Sequence, residues 1–399
     1  MLRPSDQVSK CRLPSGADRQ PIFLLCACYS SGVSFCACIL FPLPHRWDHY
    51  YTNDNLAGFS LKNGHRRPVI RDRVECMPTI QKYLVGIQPR TEELISGTRD
   101  WDRKRITEEE LEELRMAAAA RDFSIQVQEG YTYISDPMFY WQDLIRPFVD
   151  ALEGLDSGPQ LTRWFDNNTF YRKPIINAYP SISHRKLAKY YFERTWEFGR
   201  RAKLVIPAPY ALYMASDDRY FPDRRSGVFS FAQEMERVAL FLEEKGVGQI
   251  EFVEPFLFFR KPAQEDIEMA IDAFNLTTQR LKCEVMLNFP FGNLEGHFRE
   301  LIDFNASVIG VDFFSTALSS VTDFDTKKGI AVGCIDARNS LLESVDWVVN
   351  FVKSVIEKLG DIKQVAVIPN ADLEFLPRFT AEDKMKVISE AARRLENGS

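Results

Sequence analysis

From about residue 80 to residue 399, short β-branched apolar segments alternate with amphipathic helical patterns eight times. No other feature of the chain restricts its fold as much. Strands joined through helices of this length pair in parallel, and eight of them close on themselves, so the pattern predicts an α/β fold of the (β/α)8 TIM barrel type. The expected strands are 81–87, 131–135, 203–207, 249–254, 284–288, 307–313, 329–335 and 364–369. Such a barrel carries its chemistry at the C-terminal ends of its strands.

A bare barrel needs roughly 250 residues, so the 399 residues divide into an irregular N-terminal extension, 1–76, and a barrel domain, 77–399. The division also shows in charge and cysteine content. The first 76 residues carry ten Lys and Arg against six Asp and Glu, leaving 40 against 50 in the remainder. An acidic body without a basic stripe speaks against nucleic acid as a partner. Cys11, Cys26, Cys28, Cys36, Cys38 and Cys76 all lie in the extension, and the barrel has only Cys283 and Cys334, which excludes a disulfide-stapled barrel. The extension is expected to be disordered, a targeting segment, or a product of an upstream start site. Its apolar stretch 21–44 resembles a signal-peptide core or marginal anchor, but is interrupted by Tyr29-Ser30-Ser31-Gly32. A chain starting at Met77 is expected to be cytoplasmic and to touch no membrane.

Within the barrel, Thr107-x-x-Glu110 forms a capping box that opens a helix. Ser230-x-x-Gln233 is read as opening a second, which Gly246 closes, and 345–359 as a third, ending at Gly360. Between the second and third barrel strands the expectation is a helix over 139–152, an irregular segment over 158–183 that is either a lid or part of a site or else a packed excursion, and a helix over 185–198.

Strand ends supply the candidate chemistry. Glu254, Asp312 and Asp336 are the candidate catalytic residues, with Arg338, Asn370 and Asp372 beside them on the same rim. Gathered carboxylates can serve as acid and base, bind an amine, or hold a hard cation through oxygen; the competing reading of each is a helix cap or a paired loop residue. Arg163 beside Trp164 could clamp a carboxylate while the ring packs under a planar ligand, and Asp136 and Trp141 after the second strand extend the same surface. Zinc is not expected. His184, His297, Cys283 and Cys334 are the only soft ligands of the barrel region, and their places in the strand pattern do not converge.

Several colinear motifs carry a resemblance: Gly86-x-x-Pro89-Arg90, Ile134-Ser135-Asp136 followed by Tyr140 and Asp143, Leu161 to Asn168, Glu254-Pro255, and Val332 to Asn339. Together they resemble cobalamin-independent methionine synthase, over nearly all of 80–395, and most closely its N-terminal barrel or the single-barrel archaeal relatives. The resemblance implies a barrel of the methionine synthase/uroporphyrinogen decarboxylase type that serves methyl transfer from a methylated folate or pterin to homocysteine. It places Arg163 at a basic position associated with the folate's glutamate tail, whereas the family's other tail-binding string is Glu92-Glu93-Leu94-Ile95 here. It sets Asn288-Phe289-Pro290, Asp312 and Ala371 where the catalytic barrel has zinc ligands, and Asp336 where it has a histidine. The implied protein is the zinc-less, pterin-binding member of the family. Arg163, Trp164, Asp136, Trp141, Asn288, Arg338 and Asp372 would line its substrate site, with a methylated pterin as small-molecule donor and a zinc-bearing catalytic barrel as partner. Two other readings stay open: an independent enzyme using Glu254, Asp312 and Asp336 with or without Mg or Mn, and a purely structural barrel.

Overall fold

A computed structural model describes residues 77–398; the extension expected over 1–76 lies outside the described residues. Eleven strands run in chain order: β1 (Thr79–Lys82), β2 (Ile134–Ser135), β3 (Leu152–Arg163), β4 (Phe170–Ile182), β5 (Ala202–Pro207), β6 (Asp217–Asp218), β7 (Gln249–Val253), β8 (Glu284–Phe289), β9 (Val308–Asp312), β10 (Gly329–Ile335) and β11 (Gln364–Pro369). Eight of them form one parallel sheet in the order β1-β11-β10-β9-β8-β7-β5-β2. Across the remaining seam, Thr132 N–H donates to Lys82 O at 2.9 Å, Gln88 N–H to Pro137 O at 3.2 Å, and Ser135 Oγ to Leu84 O at 3.0 Å. These bonds join β1 to the segment around β2, giving the expected barrel.

Strand side chains alternate between the helices and the barrel interior. The interior is unusually polar. At its lower end Gln249 Nε2 donates to Glu284 Oε1 (2.6 Å), while Gln364 Nε2 bridges Gln81 Oε1 (2.9 Å) and Glu284 Oε2 (3.1 Å). Above this layer Lys203 pairs with Glu251, both side chains fully buried, and Asn288 Nδ2 donates to Glu251 Oε1 at 2.7 Å. Tyr83, Val85, Met286, Val308, Ala331, Ala366 and Ile368 fill the space around them. At Gly310 a Cβ would fall 2.4 Å from Asn288 Oδ1, so only glycine leaves that amide its place.

Helix ends follow the sequence in two cases. Thr107 caps Glu108–Gln128 reciprocally with Glu110, and Gly360 ends Val345–Leu359 at φ +72°, a left-handed turn that glycine adopts without a Cβ penalty. Elsewhere tertiary context prevails. The helix expected to open at Ser230 starts at Arg224 under an Asp223 cap, and Ser230 Oγ bonds back to Gly227 O inside it. The helix expected over 139–152 shrinks to Arg146–Ala151, opened by Pro147 and an Asp143 carboxylate that accepts from Ile145 and Arg146 N–H. That expected over 185–198 is two short helices, His184–Ala188 and Glu193–Glu197.

The largest correction concerns the segment read as irregular. Strands β3 and β4 form a long antiparallel hairpin, with register shifts after Glu153 and Ser157, and β6 adds in parallel beside β4. Its turn, 164–169, is closed by Trp164 N–H donating to Thr169 O at 2.9 Å.

Candidate functional site

The hairpin tip lies over the C-terminal rim and builds an aromatic roof. Phe165 packs on Phe256 (4.9 Å between ring centroids), Phe259 (4.8 Å) and Phe291 (5.2 Å, 26° between planes), and Phe291 continues to Phe375 (6.2 Å). Phe165 and Phe291 both hold left-handed backbones, φ +49° and +64°, a conformation that non-glycine residues keep only where surrounding contacts over-determine it. Trp164 packs edge-on against Tyr171 and Phe256.

The three candidate catalytic carboxylates behave differently. Asp312 is buried and saturated: its oxygens accept from Phe291, Phe314 and Ser315 N–H, Ser315 Oγ and Asn370 Nδ2. Asp336 is partly exposed and accepts from the Arg338 N–H. Glu254, buried after β7, accepts from Phe256 and Leu257 N–H on Oε1, while Oε2 has no hydrogen-bond partner among the described residues. Burial outweighs the backbone donors of Phe256, Leu257 and Ala211 and pushes the Glu254 carboxyl up to about 8.

Several residues expected to touch ligand are committed to the fold instead. Asp136 is buried and accepts from Met138 N–H, Phe192 N–H and Thr195 Oγ1, tying β2 to a helix nearly sixty residues away. Trp141 is fully buried, donates Nε1–H to Tyr190 O, and packs among Phe148, Tyr190 and Tyr191. Arg163 does not clamp over Trp164; its Nε donates to Asn167 O at 2.6 Å and its Nη2 to Asn168 Oδ1 at 3.4 Å, so the guanidinium fastens its own turn. Asn288 is held inside the barrel by Glu251. Trp164, Arg338 and Asp372 remain near the mouth.

Asp372 accepts from Ile87 N–H at 2.8 Å, and burial raises its carboxyl to about 6. This contact requires Gly86, whose φ is +56° and whose Cβ would fall 1.5 Å from Asp372 Oδ1. Gly86→Ala should displace that carboxylate and cost about 2 kcal/mol, read by urea unfolding. Beside the hairpin tip is a small cleft lined by Asp143, Trp164, Phe170, Asp372 and Glu374. Burial, with Asp372 adding repulsion, pushes the Glu374 carboxyl up to about 8. Glu374, Phe291, Lys203 and Glu251 were not among the residues expected from sequence. For Lys203 and Glu251 a signal exists: each is the lone charge of its strand, at an inward position.

Among the described residues, no group of three or more His, Cys, Asp and Glu side chains is disposed to hold a metal ion, and no helix is long and apolar enough to cross a membrane. His184 stacks on Phe241, His297 lies tilted against Phe258, and Cys334 is buried within β10.

Fold and rim define a (β/α)8 barrel whose C-terminal mouth is roofed by a β-hairpin. The family profile described as cobalamin-independent synthase, N-terminal domain, matches residues 156–360, just over half of the chain. The protein belongs to the cobalamin-independent methionine synthase family. It is 24% identical over 318 residues to a methionine synthase of Sulfolobus acidocaldarius, covering 79% of this chain and 91% of the relative, and 22% identical over 333 residues to that of Saccharolobus solfataricus, covering 80% and 97%. Among solved structures it is similar to a B12-independent methionine synthase from Shewanella sp. W3-18-1 bound to selenomethionine, with a TM-score of 0.60 at 17% identity, covering 81% of this chain and 98% of that one. A methyltransferase from Methanosarcina mazei gives a TM-score of 0.53 at 13% identity, covering 81% and 95%. These structural likenesses support the barrel.

Proposed function

We propose that the protein serves methyl transfer in methionine formation as a barrel that binds a methylated pterin donor and leaves activation of the acceptor thiol to a zinc-bearing partner barrel. The observation that carries this reading is the state of the positions that match the family's zinc ligands. Asn288 has its amide committed to Glu251, Pro290 and Ala371 are buried and carry no ligating atom, and Asp312 has both oxygens occupied by protein donors. Zinc that activates a thiol needs soft, deprotonated ligands with an open position, and this set does not fit it. The aromatic roof suits a planar heterocycle.

The reading is tested by calorimetric titration of the full-length protein with 5-methyltetrahydropteroylglutamate, alongside metal analysis. Saturable binding to protein carrying far less than one zinc is expected. Stoichiometric zinc, or a donor that does not bind, overturns it. An acid and base enzyme acting alone is the second reading, and the orphaned Oε2 of Glu254 favours it; a divalent-metal requirement through Asp312 is disfavoured by the donors already on that carboxylate. Turnover of a small substrate by the isolated protein, abolished in Glu254→Gln, would establish it.

A further inference from the structure

We propose that Arg338 anchors a carboxylate of the bound ligand at the barrel mouth. The inference rests on the reading above, in which a donor occupies that mouth, and it moves the anchoring role away from Arg163.

Arg338 lies three residues past the end of β10, on the C-terminal rim. Its Nη2 stands 3.8 Å from Asp312 Oδ2 and its Nε 3.7 Å from Asp336 Oδ1, and the guanidinium lies 5.7 Å over the Phe291 ring. An arginine free to close on a carboxylate does so at about 2.7–2.9 Å. Here neither contact closes, and among the described residues the guanidinium makes no hydrogen bond. Asp312 already accepts from five protein donors, and Asp336 Oδ1, the carboxylate oxygen facing Nε, takes the backbone N–H of Arg338. The two acids draw the Nε and Nη2 edge toward them electrostatically, while Nη1 faces neither and all the guanidinium donors remain free of hydrogen bonds. The side chain is 32% exposed, so the guanidinium fork is open to a ligand. A carboxylate matches it with two parallel hydrogen bonds.

Other rim arginines lack this combination. Arg90 is tied to Trp141 O, Arg163 to its own turn, and Arg378 to Asp122 and Glu382. Arg260 is an exposed, solvated side chain.

The test titrates the full-length protein with 5-methyltetrahydropteroylglutamate and with the same reduced methylpterin lacking the glutamyl group, in wild type, Arg338→Ala, Arg338→Lys, Arg163→Ala and Arg260→Ala. A lost charged fork should weaken the glutamylated donor roughly 10- to 100-fold in Arg338→Ala. The carboxylate-free pterin should bind wild type, both Arg338 variants and Arg260→Ala alike, Arg260→Ala should keep wild-type affinity for both pterins, and Arg163→Ala, which loosens the hairpin turn, should change the two affinities by the same factor. Arg338→Lys should recover only part of the loss, because an ammonium keeps the charge and not the fork. Equal affinity of wild type and Arg338→Ala for the glutamylated donor overturns the inference and leaves the functional reading standing. If neither pterin binds wild type, the functional reading fails, and millimolar glutarate followed by NMR line shifts decides the anchor alone. Saturation that vanishes only in Arg338→Ala sustains it, and no saturation overturns it.

Discussion

Lys203→Met should destabilise the barrel by about 3–5 kcal/mol, the cost of leaving a buried carboxylate without its cation. Lys203 and Glu251 are in direct contact with both side chains fully buried, and the ammonium also lies 5.5 Å over the Tyr83 ring. Burial alone would drive the lysine toward its neutral form, and Glu251 opposes that shift. Replacing both partners, Lys203→Met with Glu251→Leu, removes the two desolvation costs together and leaves only Asn288 short of an acceptor. The double variant should therefore lie within about 2 kcal/mol of wild type. Urea unfolding of the four proteins of this cycle measures the coupling directly. Equal losses in the single and double variants would show that the pair is not what holds this layer.

Glu254 sets a pH dependence of similar size. Its carboxyl is raised from an ordinary 4.5 to about 8 in the folded protein. Below pH 4.5 both folded and unfolded states hold the proton, and the fold has its full stability from this group. As pH rises toward 8 the unfolded chain releases a proton that the folded chain keeps, so stability falls by about 1.4 kcal/mol per pH unit, roughly 3–5 kcal/mol in all. Above 8 the folded carboxyl ionises too and the decline from this group stops. Glu254→Gln reproduces the neutral acid, keeping an acceptor for Phe256 and Leu257 N–H. It should be nearly neutral at pH 4.5 and more stable than wild type by several kcal/mol at pH 9. Parallel stability curves for the two proteins between pH 5 and 8 would mean that Glu254 is ionised in the fold.

Barrel strands were legible because each is a short β-branched run bounded by a helix start, and six of the eight fall within a residue or two of their expected limits. The hairpin was hidden by composition. Gly154, Gly158, Pro159, Pro174 and Pro180 interrupt its alternation, and only scattered positions such as Leu155, Tyr171 and Ile176 are buried, so no clean two-residue period survives. The rim itself was readable, since it follows from strand ends. Which rim groups remain open was not, because the partners come from distant segments: Thr195 for Asp136, and Asn370 for Asp312. Arg163 misled for the opposite reason. Its partners, Asn167 and Asn168, lie within the very motif that suggested a ligand clamp.

The roof joins two strained turns through one pair of rings. Left-handed backbone at Phe165 and at Phe291 costs on the order of 1–3 kcal/mol each, and their mutual stacking is part of what holds both in place. Each turn is also fastened from its own side, Phe291 by its N–H on Asp312 and the hairpin turn by Arg163 on Asn167 O. The strain and the stacking therefore offset one another, and removing either ring would free both backbones to leave the left-handed region only as far as those hydrogen bonds allow.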